Sequence, residues 1–209
     1  MPKLVDHELR GTEITEAAWR VLVRGGVRAV SVRNVAGEAG LATASLRRVF
    51  PTQSALLAAC LLLVRDRVAT RVVALPRSDD PVETAVAALC ETLPLDDTRR
   101  LEMQVFLILG TAALADPQLR AAYQAVSSDL VHLCAAVVEH VQPDRPADRR
   151  QQETTHLYAL VDGLALHTLH GDDPALAHEA LRTHLSRLAG RLPPPRPRGA
   201  SRPAGRQAR

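Results

Sequence analysis

The strongest constraint on the fold is a helix-start signature that occurs three times, at Asp80-Pro81, Asp116-Pro117 and Asp173-Pro174. An aspartate can accept hydrogen bonds from the free N–H groups that open a helix. A proline at the first helical position loses nothing, because its missing N–H would have had no partner there. After each pair the apolar residues recur at three- and four-residue spacing, as one buried helical face requires. No apolar–polar alternation lasts long enough to build a sheet. The chain therefore reads as all-α, three short helices followed by six longer ones.

The first three helices lie close together. Met1 to Arg10 is a polar lead-in, read as a frayed terminus, although His7 and Arg10 could brush a phosphate backbone. The first helix is expected over 13–24, where Ile14, Ala17, Ala18, Val21 and Leu22 share a face and Gly25-Gly26 stops it. Trp19 falls off that stripe and is expected at its edge. Ser31 can cap a second helix, in which Val32, Val35, Ala36 and Ala39 repeat at helical spacing. Gly40 can take the left-handed conformation that closes it, and Leu41 can then fold back onto the apolar face. A very short third helix, 43–49, has only Leu46, Val49 and Phe50 to anchor it, so Thr43, Ala44, Ser45, Arg47 and Arg48 point outward. Small, hydroxylic and cationic residues on one outer face can approach a nucleic-acid groove and donate to phosphates and base edges. An ordinary helical hairpin with a solvated face is the plainer alternative.

Pro51 ends this unit and Thr52 can cap a long helix to about Leu75. The following helices are expected over 82–93, 98–115, 117–141, 149–170 and from Asp173-Pro174 onward. Residues 103–109 leave almost no polar face, so their helix is expected to be central. On the penultimate helix, His156, Ala159, Gly163, His167 and His170 form a second stripe beside the core stripe, with residues small enough for another helix to approach. On the last, Leu181, Leu185 and Leu188 form a narrow seam of the kind that favours helix association. The stripe on the penultimate helix is expected to pack against a partner on that side. Met103, Phe106, Tyr123 and Tyr158, among many Leu, Val and Ala, would suit an apolar or amphipathic small molecule. From Arg191 onward the chain is rich in Pro, Gly and Arg and is expected to be disordered.

Charge is segregated. Residues 1–75 hold 11 Lys+Arg against 6 Asp+Glu, residues 76–190 hold 9 against 17, and residues 191–209 hold 6 arginines and no acid. A positive head selects a polyanion and an acidic middle repels it. Cys60, Cys90 and Cys134 form no metal pattern and no disulfide framework, and each reads as a small buried hydrophobe. No apolar run approaches a membrane span, and the N-terminus has no secretion-signal pattern, so a cytoplasmic location is expected. His156, His167 and His170 could in principle form a metal or acid–base cluster. No completing acid or cysteine pair accompanies them, and neither metal nor cofactor is expected.

The order of these landmarks resembles the TetR family of bacterial transcriptional regulators: Ile14, Ala17-Ala18 and Leu22; Gly25 and Gly26; Ser31, Val35-Ala36, Ala39-Gly40; then Leu46, Phe50 and Leu56. The segment from Leu160 to Leu169 is also similar to a penultimate helix found in many of these regulators. The resemblance implies an N-terminal helix-turn-helix domain (1–51), a six-helix ligand-binding and dimerisation domain (52–190) and the tail (191–209). It also implies a homodimer through the last two helices, and repression at a DNA operator relieved by a small molecule. Arg33, Thr43, Ala44, Ser45, Arg47, Arg48 and Gln53 are then the DNA-contact candidates. Four positions depart from the family pattern: Arg47 replaces a frequent tyrosine, Gln53 a lysine, Ala42 a capping serine and Ala44 a glycine. The rival readings are a helical interaction protein without operator binding and, behind it, a histidine-cluster enzyme.

Overall fold

The computed structural model describes residues 2–76 and 78–192, with side chains from Arg10 onward. The helices are α1 (Pro2–Gly25), α2 (Val32–Glu38), α3 (Thr43–Val49), α4 (Gln53–Ala74), α5 (Pro81–Cys90), α6 (Asp97–Ala112), α7 (Pro117–Val141), α8 (Ala147–Leu169) and α9 (Pro174–Leu188), with a 3-10 turn at Val27–Ala29. There is no strand among the described residues.

The three Asp-Pro starts act as their chemistry requires. Asp80 accepts from the N–H groups of Val82 and Glu83 at 2.8 and 3.4 Å, Asp116 from Gln118 and Leu119 at 2.9 and 3.1 Å, and Asp173 from Ala175 at 2.9 Å. Asp96 performs the same service for α6 without a proline, accepting from Arg99 N at 2.8 Å. In the short helices, Ser31 caps α2 by accepting from Asn34 N, and Gly40 takes φ 65° so that Leu41 N can reach back to Ala36 O at 2.9 Å.

Several expectations change. The polar lead-in is helical, since α1 runs unbroken from Pro2. The side chain of His7 and the tail beyond residue 192 lie outside the described residues. Arg191, read as the first tail arginine, is tied to the cap of α5, 2.7 Å from Asp80. Trp19 is inside, 1% exposed, because its indole N–H finds an acceptor in Cys60 O at 3.2 Å and so can be buried between α1 and α4. α6 is not buried all round: Val105 and Leu109 are inside, while Met103 and Phe106 are only half-buried because they border a void. α7 is long and apolar enough by composition to cross a membrane, against the expectation of no such run. It packs against α4 and α8 and carries Arg120, Asp129, His132, Glu139 and His140 along its length.

The buried side chains form two clusters. The first joins the head to the body: Ile14, Trp19, Leu22, Val35 and Leu46 pack with Leu56 and Leu61 of α4, Val105 and Leu109 of α6 and Leu119 of α7. The second lies among α5, α7, α8 and α9. Leu181 and Leu185 are 0% exposed there and Leu188 6%, so the α9 seam packs against its own chain and is not presented to a partner. The three cysteines are buried and free. Burial raises all three thiol pKa values, Cys90 to about 11 and Cys134 to about 12.

Candidate DNA-reading face and effector cavity

α3 is held by one fully buried side chain, Leu46, with Val49 and Phe50 half-buried beside it. Thr43, Ala44, Arg47 and Arg48 are exposed, and Arg33 is exposed on neighbouring α2. Ser45 is half-buried and so less available than its sequence position promised. Ala42 precedes the helix with no side-chain cap, and Thr43 does not take over that role: it is the first helical residue. Arg33, Arg47 and Arg48 have no ion-pair partner among the described residues, whereas Arg20 and Arg24 of α1 are both engaged by Glu38. Unpaired guanidinium groups around a short helix with a small-residue face can serve phosphates and base edges.

Gln53 corrects the expectation of a phosphate contact. Its amide N–H groups donate to Val27 O at 3.2 Å and Val30 O at 2.7 Å, so it clasps the turn before α2 to the start of α4. Thr52 caps α4 by accepting from Ala55 N at 3.0 Å, and Ser54 donates to Asp116, the cap of α7. Three consecutive side chains thus fix where the head meets the long helix.

A cavity of about 380 Å³ opens between α4, α6, α7 and the α5–α6 connection. Val64, Val68 and Val72 line one side, Met103 and Phe106 a second, Val126, Leu130 and Leu133 a third. Met103 and Phe106 thus line the cavity. Tyr123 is not a lining residue: it stacks on Phe106, with ring centroids 5.0 Å apart, and fits there because Gly110 has no Cβ to strike the ring. Tyr158 also lies off the lining, beside Asp162; burial and that carboxylate push its phenol up to about 12.

The cavity wall contains a group of charges that sequence reading missed. Glu102, 3% exposed, meets Arg71 through both oxygens at 3.1 and 2.7 Å and lies 3.9 Å from Arg67. Arg71 also reaches Glu91 at 2.8 Å, and Arg99 reaches Glu91 at 3.4 Å and Asp96 at 2.8 Å. Burial opposes the charge on Arg71, but Glu102 and Glu91 outweigh it and hold its pKa above the ordinary value. A lone acid at the edge of the apolar run 103–109 was the available signal.

On α8 and its C-cap, His156, Ala159, His167 and His170 are exposed and Gly163 half-buried, and Leu166 adds exposed apolar surface, 46% accessible; on α9 Leu176 is 64% accessible. The histidines are engaged locally: His156 3.7 Å from Glu153, His167 3.7 Å from Asp172, and His170 against Leu166 O at 2.8 Å. Among the described residues no three His, Cys, Asp or Glu side chains are grouped to hold a metal ion.

Residues 14–60 match the family model for bacterial regulatory proteins of the tetR family, and residues 81–192 match the C-terminal model for BetI-type transcriptional repressors. The HTH-type transcriptional regulator PksA of Bacillus subtilis (strain 168) is 37% identical over 171 residues, 81% of this chain and 83% of that one. The chain belongs to the TetR family. Two solved structures extend the match. The multidrug binding protein EbrR complexed with malachite green is 30% identical, with TM-score 0.66 over 86% of this chain and 97% of that one. A regulator from Saccharomonospora viridis in complex with choline is 26% identical, with TM-score 0.67 over 88% and 96%. This TetR-family protein is a ligand-responsive, DNA-binding transcriptional regulator and not an enzyme.

Proposed function

We propose that the protein is a cytoplasmic homodimeric repressor that leaves a palindromic operator when a small apolar cation enters the cavity. In this reading, residues 1–51 read DNA and residues 52–190 bind the effector and the partner copy. The observation that carries the DNA half is the set of exposed, unpaired arginines, Arg33, Arg47 and Arg48, around Thr43 and Ala44. Two such heads related by a twofold axis would enter successive major grooves, with half-sites about one helical turn apart. The partner copy would meet the exposed face of His156, Ala159, Gly163, His167 and His170, joined by Leu166 and Leu176.

What supports a cationic effector is the lining, where Glu91, Glu102 and Asp129 stand among mostly apolar walls beside Arg65 and Arg99. Malachite green and choline, the ligands of the two solved neighbours, are both cations. The carboxylates of the wall are paired with Arg65, Arg71 and Arg99, so a cationic effector would enter by competing with these arginines for them.

The test is titration of a DNA fragment from immediately upstream of the coding region, with and without malachite green. The expected result is binding by a dimer, affinity that falls steeply with salt as phosphates are neutralised, and release on adding dye. Binding that is insensitive to salt, or a monomer on the DNA, would sink the reading.

A further inference from the structure

Arg67 stands between the reading head and the cavity. Its guanidinium pairs with Glu16 of α1, lies over the Trp19 ring with Cζ 4.8 Å from the centroid, and approaches Glu102 of α6 to 3.9 Å. Glu102 borders the cavity and is held by Arg71 through both oxygens. Glu102 thus borders the effector space while its carboxylate meets two arginines of α4.

We propose that Arg67 is the positioning residue that carries occupancy of the cavity to the reading head, and that Glu102 is the carboxylate through which it does so. The inference rests on the cationic-effector reading above. A cation entering the cavity competes for Glu102. The two close hydrogen bonds to Arg71 are charge-assisted and geometrically matched, so they persist, and the 3.9 Å contact to Arg67 is the one that lengthens. Arg67 is then held by Glu16 and Trp19 alone and moves with α1. α1 packs on α2 and α2 on α3, so a shift between α1 and α4 is passed to the DNA-reading helix. A ligand can shift an equilibrium only through contacts that differ between the two states. The differing contact here is Glu102, bound to the cation in one state and shared with Arg67 in the other.

The chain contains a single tryptophan, and Arg67 covers it, so the relay carries its own reporter. The probe is tetraphenylphosphonium, an apolar cation transparent where tryptophan is selectively excited. In the wild type, saturating probe is expected to shift Trp19 emission and to weaken binding to the upstream DNA fragment about tenfold, within the usual span of coupling between sites. In Arg67→Met the probe still binds by equilibrium dialysis, Trp19 emission does not respond, and DNA affinity changes less than about twofold. Arg67→Lys restores part of the DNA response. If Arg67→Met does not fold, Glu102→Gln, held at probe saturation by dialysis, gives the same readout and is expected to be silent at Trp19. An Arg67→Met protein that responds like the wild type overturns the relay. So does a wild type that binds the probe with unchanged Trp19 emission and unchanged DNA affinity, and in that case the cationic cavity stands. A wild type that binds no probe overturns the cationic reading and the relay with it.

Discussion

In the reading head, polar side chains hold chiefly the backbone, with Arg20 and Arg24 on Glu38 the exception. Ser31 and Thr52 cap the helices that follow them, and Gln53 clasps the carbonyls of Val27 and Val30. In the cavity wall, polar side chains hold one another, with Arg71 and Arg99 set against Glu91 and Glu102. The capping partners in the head are three residues apart in the chain, whereas Arg71 and Glu102 are thirty-one apart. A head held by caps and by a clasp on backbone carbonyls keeps its shape while the body around the cavity adjusts. A wall built on long-range ion pairs can change partners, and so can respond to a charged guest.

The largest test of this contrast is Trp19→Ala. It removes the largest fully buried side chain from the cluster that joins head to body, and large aromatic truncations in a core cost about 3–5 kcal/mol. Thermal denaturation should show one cooperative transition at much lower temperature. Two separate transitions would mean that the head and the body are independent units, and the shared first core would lose its meaning.

Arg48→Ala should act on DNA alone. Operator affinity is expected to fall by about 1–3 kcal/mol if the guanidinium reads a base, with the melting temperature of the free protein unchanged. Equal affinity and equal sequence preference in the variant would remove Arg48 from the reading face.

Gln53→Ala separates a clasp from a DNA contact. As a clasp, its loss costs about 1 kcal/mol of stability. The slope of DNA affinity against salt is then unaltered. If Gln53 instead contacts phosphate, stability holds and affinity drops across all sequences.

The smallest expected effect is at Asp80, which ties α5 to the end of α9. The hydrogen bond from Arg191 holds its carboxyl down at about 2, against an opposing effect of desolvation, with the N–H groups of Val82 and Glu83 adding to the lowering. A carboxyl whose folded pKa lies below its unfolded value contributes stability at neutral pH. That contribution is lost as pH falls from about 4 toward the folded value. Asp80→Asn should therefore flatten the acid limb of melting temperature against pH. Superimposable acid limbs for the two proteins would rule the contribution out.

What could be read in the sequence follows the same division. Ser31, Gly40, Thr52 and the three Asp-Pro pairs declare their structure locally, because a cap and the groups it satisfies lie within a few residues. The exposed face of α3 was legible for the same reason, since Leu46 leaves little freedom for the other side chains of so short a helix. Gln53 was misread because its partners lie more than twenty residues back and its side chain folds toward them. The α9 leucines were misread because periodicity shows that a stripe is buried, not which chain buries it. Trp19 broke its stripe because indole can be buried wherever its N–H finds a carbonyl, and Cys60 O is forty-one residues away. The charges of the cavity wall left only Glu102, beside the apolar run, as a trace in the sequence, because their pairing, like the cavity, exists only where helices from distant parts of the chain converge.

The burial of the three cysteines has a consequence for what kind of signal this regulator can hear. Thiolate is the form that peroxides and disulfides attack. With their pKa values raised by burial, Cys60, Cys90 and Cys134 supply almost none at neutral pH. Cys60, Cys90 and Cys134 should therefore stay reduced when the folded protein is exposed to peroxide, which thiol labelling after unfolding would check.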